Sequence, residues 1–351
     1  MSAVHGGPDA LGVPAHDFST NGNACGPCPL VVAALQASDA CHYPDPAYTE
    51  LRQQLADFHG VDAWRIVLAG SASEFIYRIT AWVARSSLVG TRDGGRGGVS
   101  VPLHAYGGYV MAAGAWGLAV VHQPHDAALA WACEPSSPLG QAQTEWGPQS
   151  FGQIHPLQGP HIAVRVLDCA YAPLRLSGTP TLTDAQRSRL WQLWTPNKAL
   201  GLTGVRGAYA IAPSDARDAV VALNNLCPSW PLGVHAVAML QAWVQPEVQN
   251  WLEQHRATLR RWKQRQLGVL EGQGWTCLPS EANFFGALPF GNAVDATAEN
   301  WVATLTHLRN QGIKLRDATS FGLPGHVRVG ELSPIAQDAL ARAWNACWEN
   351  R

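Results

Sequence analysis

Short apolar runs, each closed by a small residue and followed by helix-spaced apolar positions, narrow the fold of this chain more than any other feature. Arg65-Ile66-Val67-Leu68 reads as a buried strand, ended by Gly70 and followed by a helix from Ser73 to Ala84. Val99-Ser100-Val101 reads as a second strand, with a helical segment after Tyr106. Leu118 to His122, Ile162 to Leu167, Trp191 to Trp194 and Ala208 to Ala212 extend the rhythm. Runs this short suit strands covered on both faces, so the expected class is α/β, a largely parallel sheet flanked by helices. Ligands in such sheets bind at the carboxyl ends of the strands.

The flanks differ. Residues 1–29 are rich in Gly, Pro, Asn and Ser and read as an extended arm. Helical spacing runs from Leu30 to Ala37 and from Ala47 to Phe58. After Pro231 a long helix to about Gln266 leads into shorter strands near Trp275, Phe284, Ile313 and Val327, with helices around Val302 and Ala339. That predicts a large domain over 30–230 and a smaller α+β domain over 231–351. Trp131 to Pro160 is the least regular stretch.

Composition excludes several classes. With 47% hydrophobic and 14% charged residues and a net charge of −2, the chain suits neither disorder nor a nucleic-acid surface. No apolar run is long enough for a membrane span, and Met1 to Ala10 has no signal-like core. Eight scattered cysteines suit reduced thiols, so cytoplasm is the expected location.

Only three lysines stand against 21 arginines, and one of them occupies an unusual setting. Thr195-Pro-Asn-Lys198-Ala-Leu-Gly-Leu-Thr-Gly-Val-Arg206-Gly-Ala-Tyr209 begins at a strand end and is too glycine-rich for a stable helix. A lysine there reaches a cleft at little rotamer cost, and Arg206 offers a planar fork suited to a phosphate. Taken alone, the stretch equally suits a surface loop with two cations. Lys263, in Arg-Arg-Trp-Lys-Gln-Arg, and Lys314, after a short strand start, have ordinary settings.

The pattern Lys-x-x-Gly-Leu-x-Gly-x-Arg resembles the lysine signature of class I/II, fold type I, pyridoxal-phosphate-dependent aminotransferases, although Gly207 and Ala208 exchange the usual order of its end. Within that family the chain is most similar to the branch of histidinol-phosphate aminotransferase and threonine-phosphate decarboxylase. The resemblance implies the fold type I architecture, with the large domain binding pyridoxal phosphate and Lys198 carrying it as a Schiff base.

Further motifs match in order. Asp168-Cys-Ala-Tyr171 closes a strand, and the resemblance implies that Asp168 keeps the ring nitrogen protonated while Tyr171 bonds the ring hydroxyl. Gly70-Ser71-Ala72-Ser73-Glu74 joins a strand to a helix, where backbone N–H groups make a phosphate cup. Thr195 is a further cofactor contact, and Tyr106 is the match to a ring-stacking tyrosine. Tyr43-Pro44-Asp45-Pro46 implies a tyrosine that reaches a neighbouring subunit's phosphate, hence a homodimer with composite sites. Arg328, in His326-Val-Arg328-Val-Gly330, matches a substrate-carboxylate arginine. The resemblance implies Arg316, Asn23 and His5 as further substrate contacts.

Departures bear on turnover. Ser137, in Pro135-Ser-Ser137-Pro138, stands where an asparagine donates to the ring hydroxyl, and Asn197 precedes the lysine where a phosphate-binding serine is common. His5-Gly6-Gly7 with Asp17-Phe18-Ser19 resembles the decarboxylases, so decarboxylation of threonine phosphate is the second reading. A cofactor-binding protein with little turnover is the third. Cys25-Gly-Pro-Cys28 has the spacing of a redox pair, but no strand precedes it, and the arm motif explains it better. His122 and His125 lack the further ligands a metal would need, so no metal is expected.

Overall fold

The computed structural model describes residues 6–90, 97–121, 127–143, 164–290 and 298–347. Thirteen strands are present among them: β1 (His16–Asp17), β2 (Ile66–Ala69), β3 (Gly98–Ser100), β4 (Val120–Val121), β5 (Ala127–Cys133), β6 (Val164–Asp168), β7 (Trp191–Trp194), β8 (Ala208–Ile211), β9 (Thr276–Cys277), β10 (Phe284–Leu288), β11 (Ile313–Lys314), β12 (Arg316–Asp317) and β13 (Val327–Gly330). Seven form one sheet in the order β2-β8-β7-β6-β5-β3-β4. Only β8 runs against its two neighbours; the other pairings are parallel. Two large apolar cores cover the two faces, which is why these strands read as unbroken apolar runs.

Two local expectations fail, each for an identifiable reason. β5 lies near the middle of the sheet, yet its sequence Ala-Ala-Leu-Ala-Trp-Ala-Cys contains four alanines, a residue that favours helix. Pairing with β3 and β6 overrides that preference, so Trp131 to Cys133 are strand; of the stretch read as irregular, 144–160 lie outside the described residues. The long helix expected after Pro231 is two helices, Val234–Trp243 and Pro246–Glu271. Pro246 takes the first turn of the second, where its missing N–H costs nothing.

β9, β10, β12 and β13 make a four-stranded antiparallel sheet in the order β12-β13-β10-β9. β11 instead pairs with β1 of the N-terminal arm. Asp9 ties the same arm to Arg309 Nη2 at 2.8 Å and Lys314 Nζ at 3.0 Å, and the two cations hold its carboxyl below the usual range. The arm is therefore docked rather than loose.

Lys263 is buried, contrary to its ordinary-looking helix face: Nζ donates to Ser280 O at 2.6 Å and Ala282 O at 2.7 Å. Nearby Glu331, just past β13, is 1% exposed, and neither carboxyl oxygen has a hydrogen-bond partner. Burial, partly offset by Lys263, pushes its pKa up to about 9. A carboxyl with a raised folded-state pKa contributes stability that is present below its ordinary 4.5 and lost as pH rises toward 9. Glu331→Gln is thus expected to flatten the fall in Tm across that window. Equal slopes for the two proteins in a Tm-against-pH series would refute the assignment.

Candidate active site

The carboxyl ends of β2, β3, β5, β6 and β7 point to one edge of the sheet, and the motif residues follow those ends. Because β8 is antiparallel, its beginning reaches the same edge. The β2–β8 ladder ends at Ala69↔Ala208. Arg206 therefore precedes β8 at the same edge at which Ser71 follows β2. Arg206 is exposed. Ser71 Oγ accepts from Glu74 N at 3.1 Å as the helix Ala72–Gly90 begins, and Ser73 Oγ lies 3.3 Å from Tyr106 OH. The cup and Tyr106 are therefore neighbours.

Asp168 ends β6 and is buried. Tyr109 OH donates to its Oδ2 at 2.7 Å, and Ala170 N donates to Oδ1 at 2.9 Å. Burial raises the carboxyl's pKa, and Tyr109, the Ala170 amide and the Lys198 charge offset this only in part. Tyr109 is itself held flat on Trp131, with centroids 4.5 Å apart and planes 12° apart. A buried carboxylate with these donors is built to hold a proton on a partner opposite it.

Lys198 is half-buried, with Nζ 5.2 Å from the centroid of the Tyr171 ring. Its loop is clamped by the arm: Asn23 N donates to Lys198 O at 2.8 Å, and Cys28 N to Leu200 O at 2.9 Å. Gly201 has φ +69°, and a Cβ there would lie 2.5 Å from Gly26 O, so both conformation and contact demand glycine. Thr195 donates to Asn197 Oδ1 at 2.9 Å, while Asn197 Nδ2 donates to Val205 O at 3.2 Å. Asn197 thus shapes the loop from within.

Arg328 on β13 is 8% exposed. It donates from Nη1 to Ser137 Oγ at 3.2 Å and from Nη2 to Ser19 O at 2.8 Å, while Nε has no partner. No carboxylate forms a salt bridge with it among the described residues. Arg316 faces it across the β12–β13 ladder. Burial, with the like charge of Arg328, pushes the Arg316 pKa down to about 10. Two desolvated guanidiniums side by side favour an anion between or beside them.

Several expected contacts take other forms. The Asn23 amide ties the arm to the lysine loop, donating to Ala199 O at 3.0 Å and accepting from Cys25 N at 3.0 Å. Asn21, passed over in the same motif, donates to Tyr171 OH at 3.3 Å and keeps a buried, unpartnered Oδ1. Ser137 Oγ accepts from Arg328 Nη1, which leaves its own proton to donate. Tyr43 is 79% exposed and stacked on Trp230 at 4.5 Å. His5, His122 and His125 lie outside the described residues. Burial pushes the Cys25 thiol up to about 11 and Cys28 is wholly inaccessible, which opposes the redox reading.

Buried Asp168, the nearby amine, the helix-end cup and the unpartnered Asn21 Oδ1 and Arg328 Nε together fit a flat nitrogen heterocycle with a phosphate tail. The comparisons agree. The model of the family "Aminotransferase class I and II" matches residues 121–342. A histidinol-phosphate aminotransferase of Jannaschia sp. is 27% identical over 332 residues, 89% of this chain and 85% of that protein. The crystal structure of a histidinol-phosphate aminotransferase from Sinorhizobium meliloti with pyridoxal-5'-phosphate superposes with a TM-score of 0.79 at 21% identity, covering 99% of this chain and 95% of that one. L-threonine-O-3-phosphate decarboxylase from Porphyromonas gingivalis gives 0.70 at 20% identity, covering 90% and 93%.

Proposed function

Since the chain belongs to the class I and II aminotransferase family, whose cofactor is pyridoxal phosphate, we propose that it transfers the amino group of a small anionic amine, with Lys198 as the cofactor lysine. The observation that carries this reading is the meeting of Lys198, Tyr171 and buried Asp168 at one strand edge.

When bound, pyridoxal phosphate supplies an aldehyde for amines and a ring that accepts electrons. The protein's part follows from its own groups. Ser71, Ala72 and Ser73 at the helix start, with Arg206, hold the phosphate. Asp168 would keep a proton on the ring nitrogen, and Tyr171, which accepts from Asn21, would bond the ring hydroxyl. Tyr106, beside Ser73, would cover the ring. The Lys198 amine takes and returns the proton of the substrate carbon that bears nitrogen. Arg328 holds a carboxylate or phosphate, with Arg316 adding positive potential and Ser137 fixing its orientation.

The relatives' names make histidinol phosphate the first amine to try. Mixed with that donor and 2-oxoglutarate, the holoenzyme is expected to form glutamate. Release of carbon dioxide and aminopropanol phosphate from threonine phosphate, without glutamate, would replace transamination by decarboxylation. Retained cofactor with no spectral response to amine donors would leave a binding protein. The residues shared with the decarboxylases bond among themselves: Ser19 and Thr20 donate to Asp17, and Ser19 Oγ accepts from Gly7 N at 2.9 Å.

The same reading treats 1–29 as the arm, 30–230 as the cofactor domain and 231–351 as the small domain of a cytoplasmic enzyme. It also pairs two copies, each lending Tyr43 to the other's phosphate site; Tyr43 and Leu103, 80% exposed, suit burial in such a contact. A monomeric mass by sedimentation would remove that pairing.

A further inference from the structure

Side chains alternate along β6, so Asp168 faces the candidate active site while Leu167 and Cys169 face the other way. There they help line a cavity of about 500 Å³. Its walls include the aromatic rings of Phe58, Trp194 and Trp243. Four guanidiniums line it, those of Arg175, Arg187, Arg256 and Arg260, against one carboxylate, Glu134. Arg175 is consumed by Glu134 at 2.7 Å. The other three have partners that do not line the cavity and lie toward solvent: the Asp184 side chain is 92% exposed and that of Glu253 is 58% exposed. The cavity is left with an excess of positive charge.

His59 adds an oriented donor. Tyr209 OH accepts from Trp243 Nε1 at 3.2 Å, so its single proton is free for His59 Nε2, 2.8 Å away. That bond puts the ring proton of His59 on Nδ1. Burial, then the Arg187 charge, pushes the His59 pKa down to about 4, so the ring stays neutral near pH 7. The Nε of Arg256 and the indole N–H of Trp194 also lack acceptors among the described residues. Positive charge, surplus donors and aromatic walls in one cavity call for a ligand with the opposite features. A volume near 500 Å³ is that of a small-molecule site.

We propose that this cavity is a second binding site, separate from the lysine site, for a small organic anion with a flat apolar body, such as an aromatic carboxylate. The proposal does not depend on the reaction at Lys198.

The test is calorimetric titration of the holoenzyme with 1-naphthoate. Indole serves as the ring without the charge, and inorganic phosphate as the charge without the ring. Saturable naphthoate binding is expected, with both controls at least about tenfold weaker. Arg187→Ala is expected to weaken naphthoate about tenfold or more. Arg256→Gln is expected to act in the same direction and guards against a folding defect in the first variant. Quenching of tryptophan fluorescence on binding would agree with the walls named. Absence of naphthoate binding, binding indifferent to both substitutions, or displacement of naphthoate by histidinol phosphate would each overturn the proposal.

Discussion

Lys198→Ala is expected to abolish the visible absorbance that the purified holoprotein carries, and to cut amino transfer by at least about 10³-fold, the combined scale of covalent and acid–base catalysis. The amine has no substitute nearby. Lys263 Nζ is committed to two carbonyls and Lys314 Nζ donates to Gly7 O at 2.6 Å, so neither can take its place. The fold is expected to survive, because the clamp on the lysine loop runs through backbone atoms of Lys198 and Leu200 and through Gly201, none of which the substitution alters. Circular dichroism and Tm of the apoprotein would check this. A lysine-independent visible band in the variant would end the assignment. So would borohydride reduction of the native holoprotein followed by peptide mapping that finds the label elsewhere.

The second large effect concerns Asp168. Asp168→Asn keeps the size of the side chain but removes the charge that holds a proton on the ring nitrogen. Loss of one such preorganised electrostatic partner costs about 10²–10³-fold in kcat, with KM for the amine less affected because Arg328 is untouched. Tyr109→Phe is the graded companion. It deletes the donor to Asp168 Oδ2, so the buried carboxyl's pKa rises further, and the acid limb of the kcat profile is expected to move to higher pH. The lost buried hydrogen bond also costs stability, about 1–3 kcal/mol. A merely structural tyrosine would lower Tm and leave the acid limb in place. Full activity in Asp168→Asn with an unmoved profile in Tyr109→Phe would remove Asp168 from the site.

The two substitutions together explain why Trp131 matters in a strand that looks helical. Its ring fixes Tyr109, and Tyr109 fixes the protonation of Asp168. β5 thus contributes to the site from behind through one stacked pair, a role no motif in its sequence announces.

Much of the architecture was legible because it depends on neighbours in the chain. Apolar runs of four or five residues, the glycines after them, and the lysine loop with its Gly201 turn express dihedral preference and burial period, and both act over a few residues. The order of the motifs likewise pointed to Asp168, Tyr171, Lys198 and Arg328, all carried by strand ends or a strand. Partnership was not legible. Ser137 and Arg328, Asn21 and Tyr171, and Asn23 and Ala199 are hydrogen-bonded across more than a hundred residues, and their spacing carries no trace of it. The same holds for the burial of Lys263 and for β5, whose alanines become strand only between β3 and β6. Local rules decide which element a segment favours. Which donor meets which acceptor, and which charge loses its water, is decided only when distant elements pack, because desolvation and hydrogen bonding act between atoms that touch.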